Sequence, residues 1–172
     1  MGDPRRLKKK FKKPRHPFRK DRILEELEFV GKYGLRNKRE FWKARTILGN
    51  WRNIARSSRS LSPEKAAQVQ DTLLKRLNRL GILGPEAEFE DVLLLTVEDV
   101  LKRRLQTLVY EKGLAKTIYQ ARQFIVHKHI QVGGKTVNSP SYLVKKEEED
   151  TIRFAPSSPY AMKKEQETSV ES

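Results

Sequence analysis

Residues 103–144 read RRLQTLVYEKGLAKTIYQARQFIVHKHIQVGGKTVNSPSYLV, and within them the apolar spacing changes from that of a helix to that of a strand. Thr117 followed three positions later by Gln120 is a capping-box pattern, in which each side chain serves the other residue's backbone N–H. It predicts a helix over 117–127 whose inner face carries Ile118, Ala121, Phe124 and Ile125. The period then becomes two, at Ile130, Val132 and Val137, with Gly133-Gly134 as a turn. Residues 142–144 and 151–154 predict further short strands, and the acidic run 147–150 between them reads as a solvated turn. Upstream, Thr96 with Asp99 is a second capping box. It opens a helix over 96–112, with Leu101, Leu105, Leu108 and Val109 inward and Gly113 as its stop. Residues 96–154 are thus expected to be a small α+β unit of two helices and short antiparallel strands.

The chain before this unit reads as helical. Asp21 is placed to cap a helix over 21–32, with Ile23, Leu24, Leu27 and Val30 on one face and Gly34 as the stop. Asn37 with Glu40 is a third capping box, opening a helix over 37–57 with Phe41, Ala44, Leu48, Trp51 and Ala55 as its core stripe. Ser62 before Pro63 is a cap followed by proline at the first helical position. That helix runs through Leu73, Leu74, Leu77 and Leu80 to about Gly81. Residues 82–95 read as a loop with a short apolar piece at 92–95. A unit of about 50–60 residues is marginal alone, so the helical part (21–95) and the α+β part (96–154) are expected to pack together.

Of 172 residues, 37% are apolar and 34% charged; the net charge is +15 and the pI about 10.1. Such an excess favours a polyanion partner, because each Lys or Arg that meets a phosphate releases a counterion. The excess is uneven: residues 1–20 carry net +9, 21–60 net +5, 61–100 net −4 and 101–150 net +5. Residues 1–20, with Pro4, Pro14 and Pro17 and little to bury, are expected to form a disordered basic arm that orders on nucleic acid. Phe11 and Phe18 are placed there to stack on bases. Residues 155–172 are polar and expected to be loose. With no cysteine there is no disulfide, no cysteine zinc site and no thiol catalysis. No apolar run approaches the roughly 18 residues of a membrane span, and the basic N-terminus lacks the apolar centre of a signal peptide. The expectation is a soluble, cytosolic protein.

Two enzyme-like signals fail on geometry. Gly-Lys-Thr at 134–136 looks like the end of a phosphate-binding loop, but the position where the motif needs its first glycine is His129. His127 and His129 are too few for a zinc site, which commonly takes three or four ligands, and His16 lies in the arm. No acid pair or Ser/His/Asp arrangement stands out. The expectation is no catalytic residue, no metal and no cofactor.

The helix over 117–127 instead presents a polar, basic ridge. Lys116 and Thr117 sit at its start, where free N–H groups suit phosphate. Gln120, Arg122 and Gln123 lie along it, and His127 and Lys128 close it with His129. Arg103 and Arg104 precede it, Lys135 follows the glycine turn, and no acid lies between Lys112 and Glu147. A ridge of this kind beside a small sheet suits a structured RNA, recognised through shape, phosphates and 2′-hydroxyls.

Residues 103–144 closely resemble the RNA-binding module named after small-subunit ribosomal protein S-four. YGLRNKREFWKARTIL, residues 33–48, resembles the N-terminal helical part of the same family in its archaeal and eukaryotic form. The resemblance covers about residues 4–160 and implies an α+β fold: an N-terminal helical domain with an inserted RNA-binding module and an extended basic arm. It implies a structural constituent of the small ribosomal subunit that binds rRNA at a multi-helix junction. It further implies nucleation of the subunit body and a place near the messenger entry channel, in the cytoplasmic ribosome. The implied partners are small-subunit rRNA and neighbouring proteins at the entry side, with no membrane and no homo-oligomer. Carried over by position, Arg36, Asn37, Lys38 and Arg39 look like part of the rRNA surface of the helical half; Lys43, Arg45 and Arg52 on the basic faces of the helix over 37–57, and Arg5, Arg6, Lys9, Lys10 and Arg15 in the arm, are expected to bind RNA on their charge. In the module the RNA-facing set is Arg103, Arg104, Lys116, Thr117, Gln120, Arg122, Gln123, His127 and Lys128, with Lys135 and Asn138 after the turn. Some bacterial relatives carry a cysteine zinc site that this chain lacks, and eukaryotic relatives have bulkier basic residues where Gly133 and Gly134 stand. The translational repressor role of bacterial members is not carried over. Two other readings compete: a ribosome-assembly factor of the same superfamily, and an RNA-modifying enzyme targeted by the module.

Overall fold

A computed structural model describes residues 9–161. Its elements are α1 (Lys20–Lys32), α2 (Lys38–Ser58), α3 (Pro63–Arg79), α4 (Asp91–Leu94), α5 (Val97–Lys102), α6 (Leu105–Glu111), α7 (Ile118–Val126), β1 (Ile130–Val132), β2 (Lys135–Thr136), α8 (Lys146–Glu149) and β3 (Arg153–Phe154). The class is α+β, as the sequence implies. Arg5, Arg6 and the tail from residue 162 lie outside the described residues.

The helical part is built on α2. Its stripe of Phe41, Ala44, Leu48, Trp51 and Ala55 is buried throughout, against Leu73 and Leu77 of α3, Val92 of α4 and Val100 and Leu101 of α5. The apolar piece at 92–95, expected within a loop, is part of α4 and the residue that follows it. In α1 the core face differs from the expected one. Leu24 and Leu27 are 55% and 50% exposed, while Ile23, Phe29 and Val30 turn partly inward and Glu26 is 1% exposed. Glu26 accepts a hydrogen bond from Trp42 Nε1 at 3.0 Å and lies 3.5 Å from Arg22 Nε and 3.7 Å from Lys38 Nζ. A buried carboxylate needs such partners, and they hold this face of α1 on α2. Asp21 is not the cap: the helix begins one residue earlier, after an extended Arg19.

The predicted helix over 96–112 is two helices. Its capping box forms, with Asp99 accepting from the Thr96 N–H and hydroxyl at 2.8 Å each. At Arg103 and Arg104 the chain then leaves helical geometry. Leu105 N donates to the Tyr142 carbonyl and Val144 N to the Arg103 carbonyl, so the break gives its backbone groups to residues 142–144. Those residues, expected as a strand, form one antiparallel bridge between Leu143 and Arg104. The break also divides the core. Val100 and Leu101 belong to the helical part, whereas Leu105, Leu108 and Val109 belong to a second core with Ala121, Phe124, Ile125, Ile130, Val144 and Ile152. The changeover therefore lies at 102–104, later than the expected boundary at 95–96.

The module's sheet has the order β2-β1-β3, all antiparallel. Gly133 and Gly134 both take positive φ, 57° and 78°, as a two-residue hairpin turn requires. The acidic run is helix α8 rather than a solvated turn. Glu149 pairs with Arg103 at 2.7 Å, and Glu148 accepts from Tyr142 Oη and Lys145 Nζ. Residues 155–161, expected to be loose, pack on the module. Ala155 and Ser158 are buried, and the Tyr160 ring lies 4.6 Å from that of Phe124.

At Gly34 the two parts are in close contact. It has φ 55°, and a Cβ placed there would lie 2.8 Å from both Gln106 Nε2 and Ile118 Cγ2. Gly34→Ala is expected to lower stability by about 2 kcal/mol, from left-handed backbone strain and the clash together. Urea unfolding followed by circular dichroism measures this; a loss below about 0.5 kcal/mol would show that the junction yields easily.

Candidate nucleic-acid interface

Glu40 stands at the start of α2, where the capping box predicts that its carboxylate returns to Asn37. Only half of the box forms: Asn37 Oδ1 accepts from Glu40 N at 3.3 Å. The carboxylate instead receives Arg104 Nη2 at 2.7 Å and Arg122 Nη2 at 2.9 Å, with Arg122 Nη1 at 3.4 Å. Arg122 Nη1 also donates to Gln106 Oε1 at 3.2 Å, and Gln106 Nε2 donates to the carbonyls of Gly34 at 2.8 Å and Ile118 at 3.1 Å. Gln106 is fully buried, and the exposed side-chain fractions of Arg104, Glu40 and Arg122 are 5%, 15% and 21%. Burial pushes the Glu40 carboxyl up, but hydrogen bonds and charge from Arg122 and Arg104 outweigh it and hold the group below the usual carboxylate range. Burial also draws the Arg104 guanidinium down against the pull of Glu40, yet a guanidinium stays charged.

This network corrects the expected RNA-facing set. Arg104 is buried in the clamp and offers no surface to a ligand. Arg122 is largely committed to the same carboxylate, and Arg103 to Glu149 and the Val144 carbonyl. Arg52 donates to the Leu95 carbonyl, and Lys38 lies near Glu26. Gln120 and Thr117 work locally. Gln120 Oε1 accepts from Lys116 N at 2.7 Å, and Thr117 Oγ1 accepts from Gln120 N at 3.2 Å.

The rest of the set is at the surface. Arg36, Asn37, Arg39, Lys43 and Arg45 are exposed on the helical part, and Lys116, Gln123, His127, Lys128, Lys135 and Asn138 on the module. Lys9, Lys10 and Arg15 are exposed in the arm. Apart from the Glu26 contact of Lys38, no cation of the 36–45 stretch has an acid partner among the described residues, nor do Lys116, Lys128 and Lys135. Lys128 takes φ 64°, a left-handed geometry that ends α7. Its N–H donates to the Ile125 carbonyl and that of His129 to the Phe124 carbonyl, the pair of bonds that usually calls for glycine. Tyr119 and Val126, 61% and 51% exposed on α7, were not among the expected residues. Two expected base-stacking residues divide: Phe18 is 90% exposed, whereas Phe11 packs on Trp42 at 6.0 Å between ring centroids.

The two histidines serve different ends. His127 is the exposed C-cap of α7, and His129 packs edge-on against Phe124 and Tyr160 with Nδ1 3.2 Å from Ser158 Oγ. Among the described residues no group of three His, Cys, Asp or Glu is placed to hold a metal ion. Gly-Lys-Thr at 134–136 is half a hairpin, with no helix starting directly after it. No helix among the described residues is long and apolar enough to cross a membrane.

Two packed parts that turn acid-free cations outward, with Glu26 and Glu40 held against cations of their own, mark a basic RNA-binding class of protein. The S4 domain model matches residues 103–152, beginning where the core changes over. The chain is 54% identical to the small ribosomal subunit protein uS4 of Hyperthermus butylicus over 167 residues, covering 97% of this chain and 95% of that one. It is 50% identical to those of Ignicoccus hospitalis and Methanothermobacter thermautotrophicus, covering 96% of this chain in each case and 100% and 95% of theirs. The chain belongs to the uS4 family, whose members are ribosomal proteins and not enzymes.

Removing Glu40 leaves two guanidiniums facing each other in a poorly solvated place. Glu40→Gln is expected to cost about 2–4 kcal/mol in urea unfolding, and Arg122→Ala to be destabilising too. Lys116→Ala, fully at the surface, should stay within about 0.5 kcal/mol of the parent. The folded-state pKa of Glu40 lies below its unfolded value. Its contribution is therefore complete above the ordinary carboxylate range and lost as pH falls through the folded value. The parent should lose more stability on acidification than Glu40→Gln; equal losses would remove Glu40 as an acid-sensitive group.

Proposed function

We propose that this chain is a structural constituent of the small ribosomal subunit that binds small-subunit rRNA directly at a multi-helix junction. There it nucleates assembly of the subunit body and lies near the messenger entry channel, beside neighbouring small-subunit proteins, in the cytoplasmic ribosome. The observation that carries this reading is the outward set of cations without acid partners on both parts of one clamped body. A clamp that holds two basic surfaces in one orientation suits a junction, where several RNA helices diverge at set angles and are read by shape and phosphate spacing. The uS4 names of the relatives support the ribosomal role.

In sedimentation of cell extract at high magnesium, the protein is expected to run with mature small subunits. Its presence on precursor particles alone would make it an assembly factor. In filter binding to a junction transcript, Lys116→Ala and Arg39→Ala should each weaken binding and flatten the log–log salt slope by about 0.7–0.9 for every phosphate left without its cation. Unchanged slopes would remove those two residues from the interface.

A further inference from the structure

The cleft between the N-terminal arm and α2 has a shape that a flat cationic surface lacks. Its volume is about 370 Å³. One wall is the arm, pinned at two points: Lys12 N donates to Thr46 Oγ1 at 3.1 Å, and Arg22 Nη2 donates to the Pro17 carbonyl at 2.8 Å. The other wall is a face of α2 with Trp42, Thr46, Gly49, Asn50 and Asn53. Lys13, Arg15, Arg19 and Arg45 are among the cations around it, and no acid lines it. Arg19 also lies 3.7 Å from Asp21, both side chains being well exposed.

We infer that this cleft receives a single unstacked nucleotide of the bound RNA. The inference rests on the rRNA-binding reading above. The volume lies at the lower end of small-ligand pockets, large enough for one nucleotide and too small for a duplex. The Trp42 indole is held in one orientation by its bond to buried Glu26 and by Phe11 packed against it, and the part of the ring that lines the cleft is the aromatic surface for a base. Asn50 and Asn53 each offer an amide donor and acceptor to a base edge. The cations at the rim suit the flanking phosphates. Gly49 and the two asparagines sit mid-helix, where these residue types are poor helix formers. Small side chains there keep the cleft open for the close approach of a ligand.

Gly49 also supplies the test. A Cβ at this position would meet nothing within 4 Å, so Gly49→Leu fits the fold, keeps every charge and fills the cleft. The full chain and a small-subunit rRNA junction transcript are compared by filter binding across salt and by 2′-hydroxyl acylation of the RNA. The parent should change the reactivity of one junction nucleotide on binding. Gly49→Leu should keep or raise the melting temperature, keep the salt slope, lose about tenfold or more in affinity and lose that nucleotide's signature. Asn50→Leu should do the same. Binding within about twofold of the parent, with the signature retained, would overturn the inference and leave rRNA binding standing. A reduced salt slope in Gly49→Leu would mean that phosphates alone enter the cleft, and would overturn it too. Failure of the parent to bind the transcript at all would sink the functional reading and this inference together.

Discussion

Glu40 is the only carboxylate between Glu28 and Glu64, and it holds two guanidiniums that come from the other half of the molecule. Around it the network extends through Gln106, which bonds Arg122 on one side and the Gly34 and Ile118 carbonyls on the other, while Arg104 Nε is left as a buried donor without a hydrogen bond. Buried charge is costly unless paired and hydrogen-bonded, so a half-satisfied version would be worse than an apolar contact. The geometry therefore admits one relative placement of α2, the turn at Gly34, α6 and α7. Apolar packing alone would tolerate sliding. Direction-dependent bonds to a planar guanidinium do not.

Electrostatic sorting follows from the same arrangement. A chain of net +15 cannot bring its cations together without counter-charge. Three acids of the two basic territories are held against their own cations: Glu26 against Arg22 and Lys38, Glu40 against Arg104 and Arg122, Glu149 against Arg103, while Glu25, Glu28, Glu147 and Asp150 stay exposed. The cations left over, such as Arg36, Arg39, Lys43, Lys116 and Lys135, face solvent. The acidic run at 147–150 looks in sequence like a solvated turn. In space one of its members, Glu149, pairs with the arginine at the break between α5 and α6, while Glu147 and Asp150 stay exposed.

The helix stripes were legible because local rules and burial agree. Phe41 to Ala55 on α2 and Ala121 to Ile125 on α7 recur at the helical period, and all five residues of the first stripe are buried. The glycine hairpin at 133–134 and the Thr96–Asp99 capping box were equally legible, since each needs only neighbours in the chain. The break at Arg103–Arg104 was not. Both residues are good helix formers, and only the backbone of residues 142–144 draws them out of the helix. Of the four residues that the spacing puts on one face of α1, Ile23 and Val30 turn partly inward and Leu24 and Leu27 outward, a division that apolar spacing alone does not make. The choice between them was made by Trp42 and Lys38, whose bonds require Glu26 on the inner side.

The expected RNA-facing set divides in the same way. Residue type and charge run alone determined that cations without neighbouring acids gather in the arm, along α2 and around α7, because net charge and the distribution of acids are properties of the sequence. Sequence could not separate an arginine aimed at phosphate from one aimed at a carboxylate 64 or 82 positions away. Arg104 and Lys116 look alike in one dimension; one is buried in the clamp and the other is at the surface. That distinction belongs to tertiary structure, since pairing of buried charges is decided by which elements pack, and packing is decided by contacts between residues far apart in the chain.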